Sequence, residues 1–181
     1  QYQMPEQQYF ECRTLNSAIE TITAEITAFT NKIYAQKKQK TDTSAVLRSY
    51  NQIVKTLKEQ LKKLKEELQN KLLLWQPGLV KQVRSVKGIG SRATATLIVA
   101  TQGFKNTHSY QQLISYAGLS PKLYTSGKSI RGKVRISKKG GKQLRHILYM
   151  CALNAKTTNP ACKALFDRLV AKGKNKKLAI I

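Results

Sequence analysis

Leu15, Ile19, Ile22, Ile26, Phe29 and Ile33 recur at alternating steps of four and three along the first part of the chain. That is the spacing of a helix that lays one apolar seam against a partner helix. Val54, Leu57, Leu61, Leu64, Leu68 and Trp75 continue such a seam, with Lys71 as its polar interruption. Thr41-Asp-Thr-Ser44 between the two runs is a cap-forming turn, so the pattern predicts an antiparallel helical hairpin of roughly 45 Å per arm at about 1.5 Å per residue. Two helices alone bury little apolar surface, so this arm is expected to dock on a partner subunit or a further domain. Gln76-Pro-Gly78 should end it, because proline and glycine follow helices rather than continue them.

Beyond that point the pattern changes, and all ten glycines lie at or after Gly78. Leu79–Val86 predicts a short helix, then Gly88-Ile-Gly90, then a helix carrying Ala93, Leu97, Ile98 and Ala100. A short helix, a glycine-hydrophobic-glycine turn and a second helix form a helix-hairpin-helix-like motif. Its glycines let backbone N–H groups at the second helix's start approach a phosphate, and Lys87 and Arg92 flank it. The competing reading is an ordinary glycine turn between two helices. Ser109–Ala117 predicts another short helix, closed by Gly118-Leu-Ser-Pro121. From Lys122 to Lys139 the chain is polar and glycine-punctuated, which predicts an extended loop or a short hairpin. Lys142–Ala155 predicts a helix, with Ser137 and Lys138 as candidate cap and first residues, and Asn159-Pro160 starts a last helix that Gly173 closes. The fold expected is mainly α: residues 1–9 a tail, 10–76 a long antiparallel coiled-coil hairpin, and 77–181 a compact helical domain bearing the turn motif and a basic loop.

Charge separates these halves further. Residues 1–76 hold 12 basic and 8 acidic side chains, whereas 77–181 hold 21 basic ones and the single carboxylate Asp167. From Leu68 to Phe166 there is no aspartate or glutamate in 99 residues that carry 17 lysines and arginines. Such a surface binds polyphosphate by releasing condensed counterions, which points to nucleic acid. Against a membrane partner stands the absence of any apolar run of 18 residues or a signal-peptide core. Cys12, Cys151 and Cys162 are odd in number and widely spaced, as reduced structural thiols of a cytoplasmic protein would be. Gln1 in place of methionine, and a close at Leu-Ala-Ile-Ile181 in mid pattern, lead us to expect a piece of a longer protein.

A region without carboxylates cannot build its own magnesium site or carboxylate acid/base pair, so its chemistry must rest on other groups. Ser126-Gly-Lys-Ser-Ile-Arg-Gly-Lys-Val-Arg135 supplies two hydroxyls, Ser126 and Ser129, among Lys128, Arg131, Lys133 and Arg135. Guanidinium and ammonium groups bind phosphate oxygens and stabilise the charge of phosphoryl transfer, so either serine is a candidate nucleophile. The same loop serves equally as a passive phosphate clamp. Lys138, Lys139 and Arg145 extend the cationic set, and His108 and His146 are read as surface or phosphate-contacting residues rather than general bases.

Several motifs in this half occur in a telling order. Val86-Lys-Gly-Ile-Gly90, Tyr116-Ala-Gly-Leu-Ser-Pro121, Ser126-Gly-Lys-Ser-Ile-Arg-Gly132, Ile136-Ser-Lys-Lys-Gly140, Leu144-Arg-His-Ile-Leu-Tyr-Met150, Asn159-Pro160 and Lys172-Gly-Lys174 resemble the carboxy-terminal transposase domain of the IS-one-ten insertion-sequence family. That family includes the Piv-type DNA invertases, and the resemblance covers roughly residues 80–181. It implies a recombinase that cleaves and exchanges DNA strands through a phosphoserine intermediate, with Ser126, the first serine of its motif, as nucleophile. It further implies a RuvC-like domain holding magnesium on four acidic residues, a structured noncoding guide RNA, and an assembly of two or four subunits acting at the nucleoid. The acidic tetrad has no counterpart in this sequence, so no cofactor is expected within this chain and recombination is not expected of it alone. Two further readings stay open: a non-catalytic helix-hairpin-helix nucleic-acid module with an oligomerising arm, and a structural RNA-binding protein of ribosomal type.

Overall fold

The computed structural model describes residues 6–39, 43–105, 107–122, 125–126, 130–131 and 135–181, with side chains in all of these but 125–126 and 130–131. The fold is mainly α, and the chain divides into two compact units, Gln1–Gln76 and Pro77–Ile181.

In the first unit, α1 (Gln7–Gln36) runs antiparallel to α2 (Ser44–Trp75). Phe29 meets Tyr50 with ring centroids 5.5 Å apart, and Tyr9 meets Trp75 at 5.9 Å. Partners that climb one helix while descending the other fix the register along the arm. The α1 seam reaches back beyond Leu15 to buried Cys12 and Tyr9. Lys71, the polar break in the predicted stripe, donates from Nζ to Glu11 Oε2 at 2.6 Å, while Leu72 beside it is buried. The hydrogen bond and the opposite charge hold the Glu11 carboxyl below its usual range and the Lys71 ammonium above its own. Of the predicted capping turn, Thr41 and Asp42 lie outside the described residues, and the Thr43 hydroxyl makes no cap bond to α2.

The second unit is built around α4 (Ser91–Ala100), in which Ala93 to Val99 are buried on every side. A helix that is apolar or small all round must be enclosed. α3 (Pro77–Ser85) precedes it, α5 (Tyr110–Tyr116) follows, and α6 (Lys142–Thr158), α7 (Pro160–Ala171) and α8 (Lys176–Ile180) complete the shell. Leu97, Ala117 and Leu144 form the core, with Val83, Ile89, Phe104 and Leu148 packed round it. The α3–α4 turn holds Gly88 at φ +108°, and a Cβ there would lie 2.8 Å from that of Ala155, so α6 crosses the turn at glycine distance. α5 ends as Leu119 N–H donates to Ile114 O and Gly118 N–H to Ser115 O, the paired bonds of a glycine-terminated helix. Asn159 caps α7 ahead of Pro160, as the sequence predicts. The predicted close at Gly173 also occurs, but Asn175 then caps α8, an element too short to show in the apolar pattern.

Candidate nucleic-acid interface

The polar segment after α5 forms a narrow antiparallel hairpin. β1 (Pro121–Lys122) pairs with β4 (Arg135–Ile136), Pro121 opposite Ile136 and Lys122 opposite Arg135. Nearer the tip, β2 (Thr125–Ser126) pairs with β3 (Ile130–Arg131), Thr125 opposite Arg131 and Ser126 opposite Ile130. Among the described residues, Ser126 is therefore the last of β2. Gly127, Lys128 and Ser129, as well as Gly132 and Lys133, lie outside the described residues, as do the side chains of Ser126 and Arg131.

The root of this hairpin is clamped between two helices. Ser137 N–H donates to Ser120 O at 2.8 Å and Lys138 N–H to Gly118 O at 3.0 Å. Gly118, at φ +68°, and Gly140 lie back to back: a Cβ on Gly118 would meet Gly140 N at 2.6 Å, and one on Gly140 would overlap the Tyr116 carbonyl oxygen. Arg145 on α6 locks the junction, its Nη1 donating to Ala117 O at 3.1 Å and to Gly140 O. The motifs Gly118-Leu-Ser-Pro121 and Ser137-Lys-Lys-Gly140 are thus two halves of one joint. The alternative in which Ser137 and Lys138 cap and start α6 does not hold. Their amides are bound to the α5 turn, Lys138 has φ +57°, and α6 begins at Lys142 with Gly141 as its N-cap.

Arg135, Lys138 and Lys139 are exposed near this root, together with Lys122 and Lys142, which the charge pattern alone did not single out. Arg145 is half-buried, and part of its guanidinium serves the joint. Replacing Arg145 with Gln should lower stability by about 1–3 kcal/mol, since two carbonyls lose a charged donor. Lys138→Gln should stay within about 0.5 kcal/mol. Urea denaturation of the two variants checks the contrast, and equal midpoints would contradict it.

At the other motif Lys87 is exposed, and Gly88 and Arg92 are half-buried. Gly90, the exposed N-cap of α4, has nothing within 4 Å of where a Cβ would stand. The two glycines therefore differ, Gly88 admitting α6 and Gly90 leaving the start of α4 open. Helix α6 joins both places, touching the hairpin root through Arg145 and the Gly88 turn through Ala155. Ten residues separate these contacts, about 15 Å along the helix.

His108 and His146 are both exposed, and the His108 amide donates to Gln112 Oε1 at 2.7 Å. Burial pushes the Cys12 and Cys151 thiols up, away from nucleophilic thiolate character. Among the described residues no cluster of three or more His, Cys, Asp or Glu could hold a metal ion. Magnesium binds hard carboxylate oxygens, and residues 68–166 contain none, so this region does not fit that ion. No helix among the described residues is long and apolar enough to cross a membrane.

The stretch holding both motifs and the joint, residues 80–167, matches the model of the Transposase IS116/IS110/IS902 family. Over these residues the chain is similar to the transposases of that family. Over 97 residues, 54% of this chain, it is 32% identical to an insertion element IS110 uncharacterized 43.6 kDa protein of Streptomyces coelicolor, covering 24% of that protein. Over 98 residues it is 37% identical to the pilin gene-inverting protein of Moraxella bovis and 36% to that of Moraxella lacunata, covering 30% of each. The match thus spans less than a third of the curated relatives' length. Within the matched residues fall Ser126, the Gly118–Gly140 joint and the Gly88–Gly90 turn, whereas the helical arm lies outside them.

Proposed function

We propose that this chain supplies the DNA-gripping and serine-nucleophile portion of a transposase or site-specific DNA recombinase. The observation that carries the reading is the place of Ser126. It stands last in β2, just ahead of Lys128 in sequence, on a strand pair rooted in the matched residues and in a stretch with no carboxylate of its own. Its Oγ attacks a DNA phosphorus, an Oγ–P bond forms, one P–O bond to a sugar breaks, and the departing sugar oxygen takes up a proton. Attack by a hydroxyl of another strand reverses the step and frees the serine. Each phosphodiester is exchanged for another, so no outside energy source is required.

Arg135, Lys138 and Lys139, with Lys128, Arg131 and Lys133 of the same segment, neutralise the phosphate and the charge that grows on it. Lys87, Arg92 and the open start of α4 at Gly90 serve as a second phosphate contact of helix-hairpin-helix kind. A structured noncoding RNA that selects the DNA and a homo-oligomer held by the helical arm complete this reading. The similarity to the pilin gene-inverting proteins supports DNA inversion as the reaction class.

The test is to trap the covalent adduct. The intact protein, with its RNA and a DNA substrate, is quenched in denaturant, digested and sequenced by mass spectrometry. A nucleotide mass on the peptide containing Ser126 is expected, whereas an adduct on another residue overturns the assignment. DNA binding without any adduct would favour the non-catalytic binding module, for which the open N-terminus of α4 is the supporting observation.

A further inference from the structure

Helix α2 carries a second cationic feature, outside the matched domain. Arg48, Lys55, Lys58, Lys62 and Lys65 follow one another by seven, three, four and three residues. Each comes one position after a residue of the buried or half-buried seam: Leu47, Val54, Leu57, Leu61 and Leu64. The five therefore keep the seam's own period and lie in one line, about 100° round the helix from it. All five are exposed, and among the described residues none forms an ion pair. Residues 43–65 hold six cations against one carboxylate, Glu59.

An ordinary solvated helix face mixes both signs, because like charges three and four residues apart repel. A ladder of one sign, kept over several turns, is complementary to a ladder of the other. Residues 1–76 of a second copy offer no such partner. Their carboxylates form no ladder, only Glu59 and Glu66 standing a heptad apart. Glu11 is bonded to Lys71 and Glu20 to Asn16. Evenly spaced negative charge is what a nucleic-acid backbone presents.

We propose that this face of α2 is a phosphate track that binds the sugar-phosphate backbone of a duplex. Lys55 to Lys65 extends about 15 Å along the helix. Laid along a duplex, that length runs beside about four phosphates of one strand, each advancing the axis by about 3.4 Å. Lysine suits the task, since a point charge on a long stem grips phosphates without reading bases. DNA and RNA share this chemistry. The track holds whether or not Ser126 is the nucleophile, because it lies on another unit of the chain.

The experiment compares two variants of the full chain that lose the same four charges. K55Q/K58Q/K62Q/K65Q strips the track, and K32Q/K37Q/K38Q/K63Q strips the arm elsewhere. Helicity by circular dichroism confirms that both remain folded. Affinity for a short DNA duplex and for an RNA duplex of the same sequence is followed through a salt titration. The track variant should lower the slope of log K against log salt by about 3.6, at roughly 0.9 per lost phosphate contact. The control should lower it by less than about 1, since its lysines follow no common line. A large fall on DNA assigns the track to DNA, and one on RNA alone assigns it to RNA. Equal falls for the two variants on both duplexes would overturn the proposal. So would an unchanged slope with an altered sedimentation of the free protein, which would make the face a contact between copies.

Discussion

Replacing Ser126 with alanine in the intact protein should cut strand exchange at least about a thousandfold and abolish the covalent adduct, while the Kd for duplex DNA moves by less than about threefold. Removal of an enzyme's nucleophilic serine can cost about 10⁶ in kcat, with binding and electrostatic stabilisation supplying the residue of rate. Binding should be spared because affinity for a duplex rests on neutralised phosphates, and the substitution leaves the cations of the 77–181 region in place. Ser129 is the internal control. It follows Ser126 by three residues in the same motif. Ser129→Ala should retain the adduct with a reduced rate, as loss of one phosphate hydrogen bond would. An inactive S129A beside an active S126A would transfer the nucleophile's role to Ser129 and refute the present assignment.

The helical arm was readable because one rule, a seam at steps of three and four, governs both its local structure and its packing. Even the exception, Lys71, marked a real event: it leaves the seam to meet Glu11. In the second unit the rules compete. Ser137-Lys138 ahead of an apolar run looks like a cap, yet the amides of both residues are drawn to Ser120 and Gly118, and α6 starts later. Gly118 reads locally as a helix stop, which it is. Its second task, admitting Gly140 at backbone distance, depends on a residue 22 positions away and has no local signature. Arg145 belonged to the cationic set by charge, but charge does not distinguish an inward guanidinium from an outward one, and its Nη1 is held by two carbonyls. Ser126 stood out as a hydroxyl among cations, and the pairing of β2 with β3 adds its position at the end of a ladder. Two-residue strands carry too little periodicity to have announced that pairing.

Gly140→Ala tests the joint on which that hairpin stands, and it should destabilise the protein by more than about 3 kcal/mol. The new methyl would overlap the Tyr116 carbonyl oxygen and lie 2.7 Å from both Ala117 C and Gly118 N. These are backbone atoms, held by the end of α5 and by the Arg145 clamp, so none can turn aside as a side-chain tip could. Relief requires the α5 turn to part from the residues before α6, which breaks the Lys138 N–H to Gly118 O bond and frees the hairpin root. The next residue supplies the comparison. Gly141 has φ −58°, and its added Cβ would find only Leu144 Cβ at 4.0 Å, so Gly141→Ala should change stability by no more than about 1 kcal/mol. In thermal denaturation, G140A should melt more than about 6 °C below the parent chain and G141A within about 4 °C of it. Strand exchange should fall with G140A even well below its melting temperature, since Ser126 is then presented on an unanchored hairpin. Coincident melting of the two variants would show that the joint yields without cost, and the hairpin's position would then have to be set by the DNA it meets.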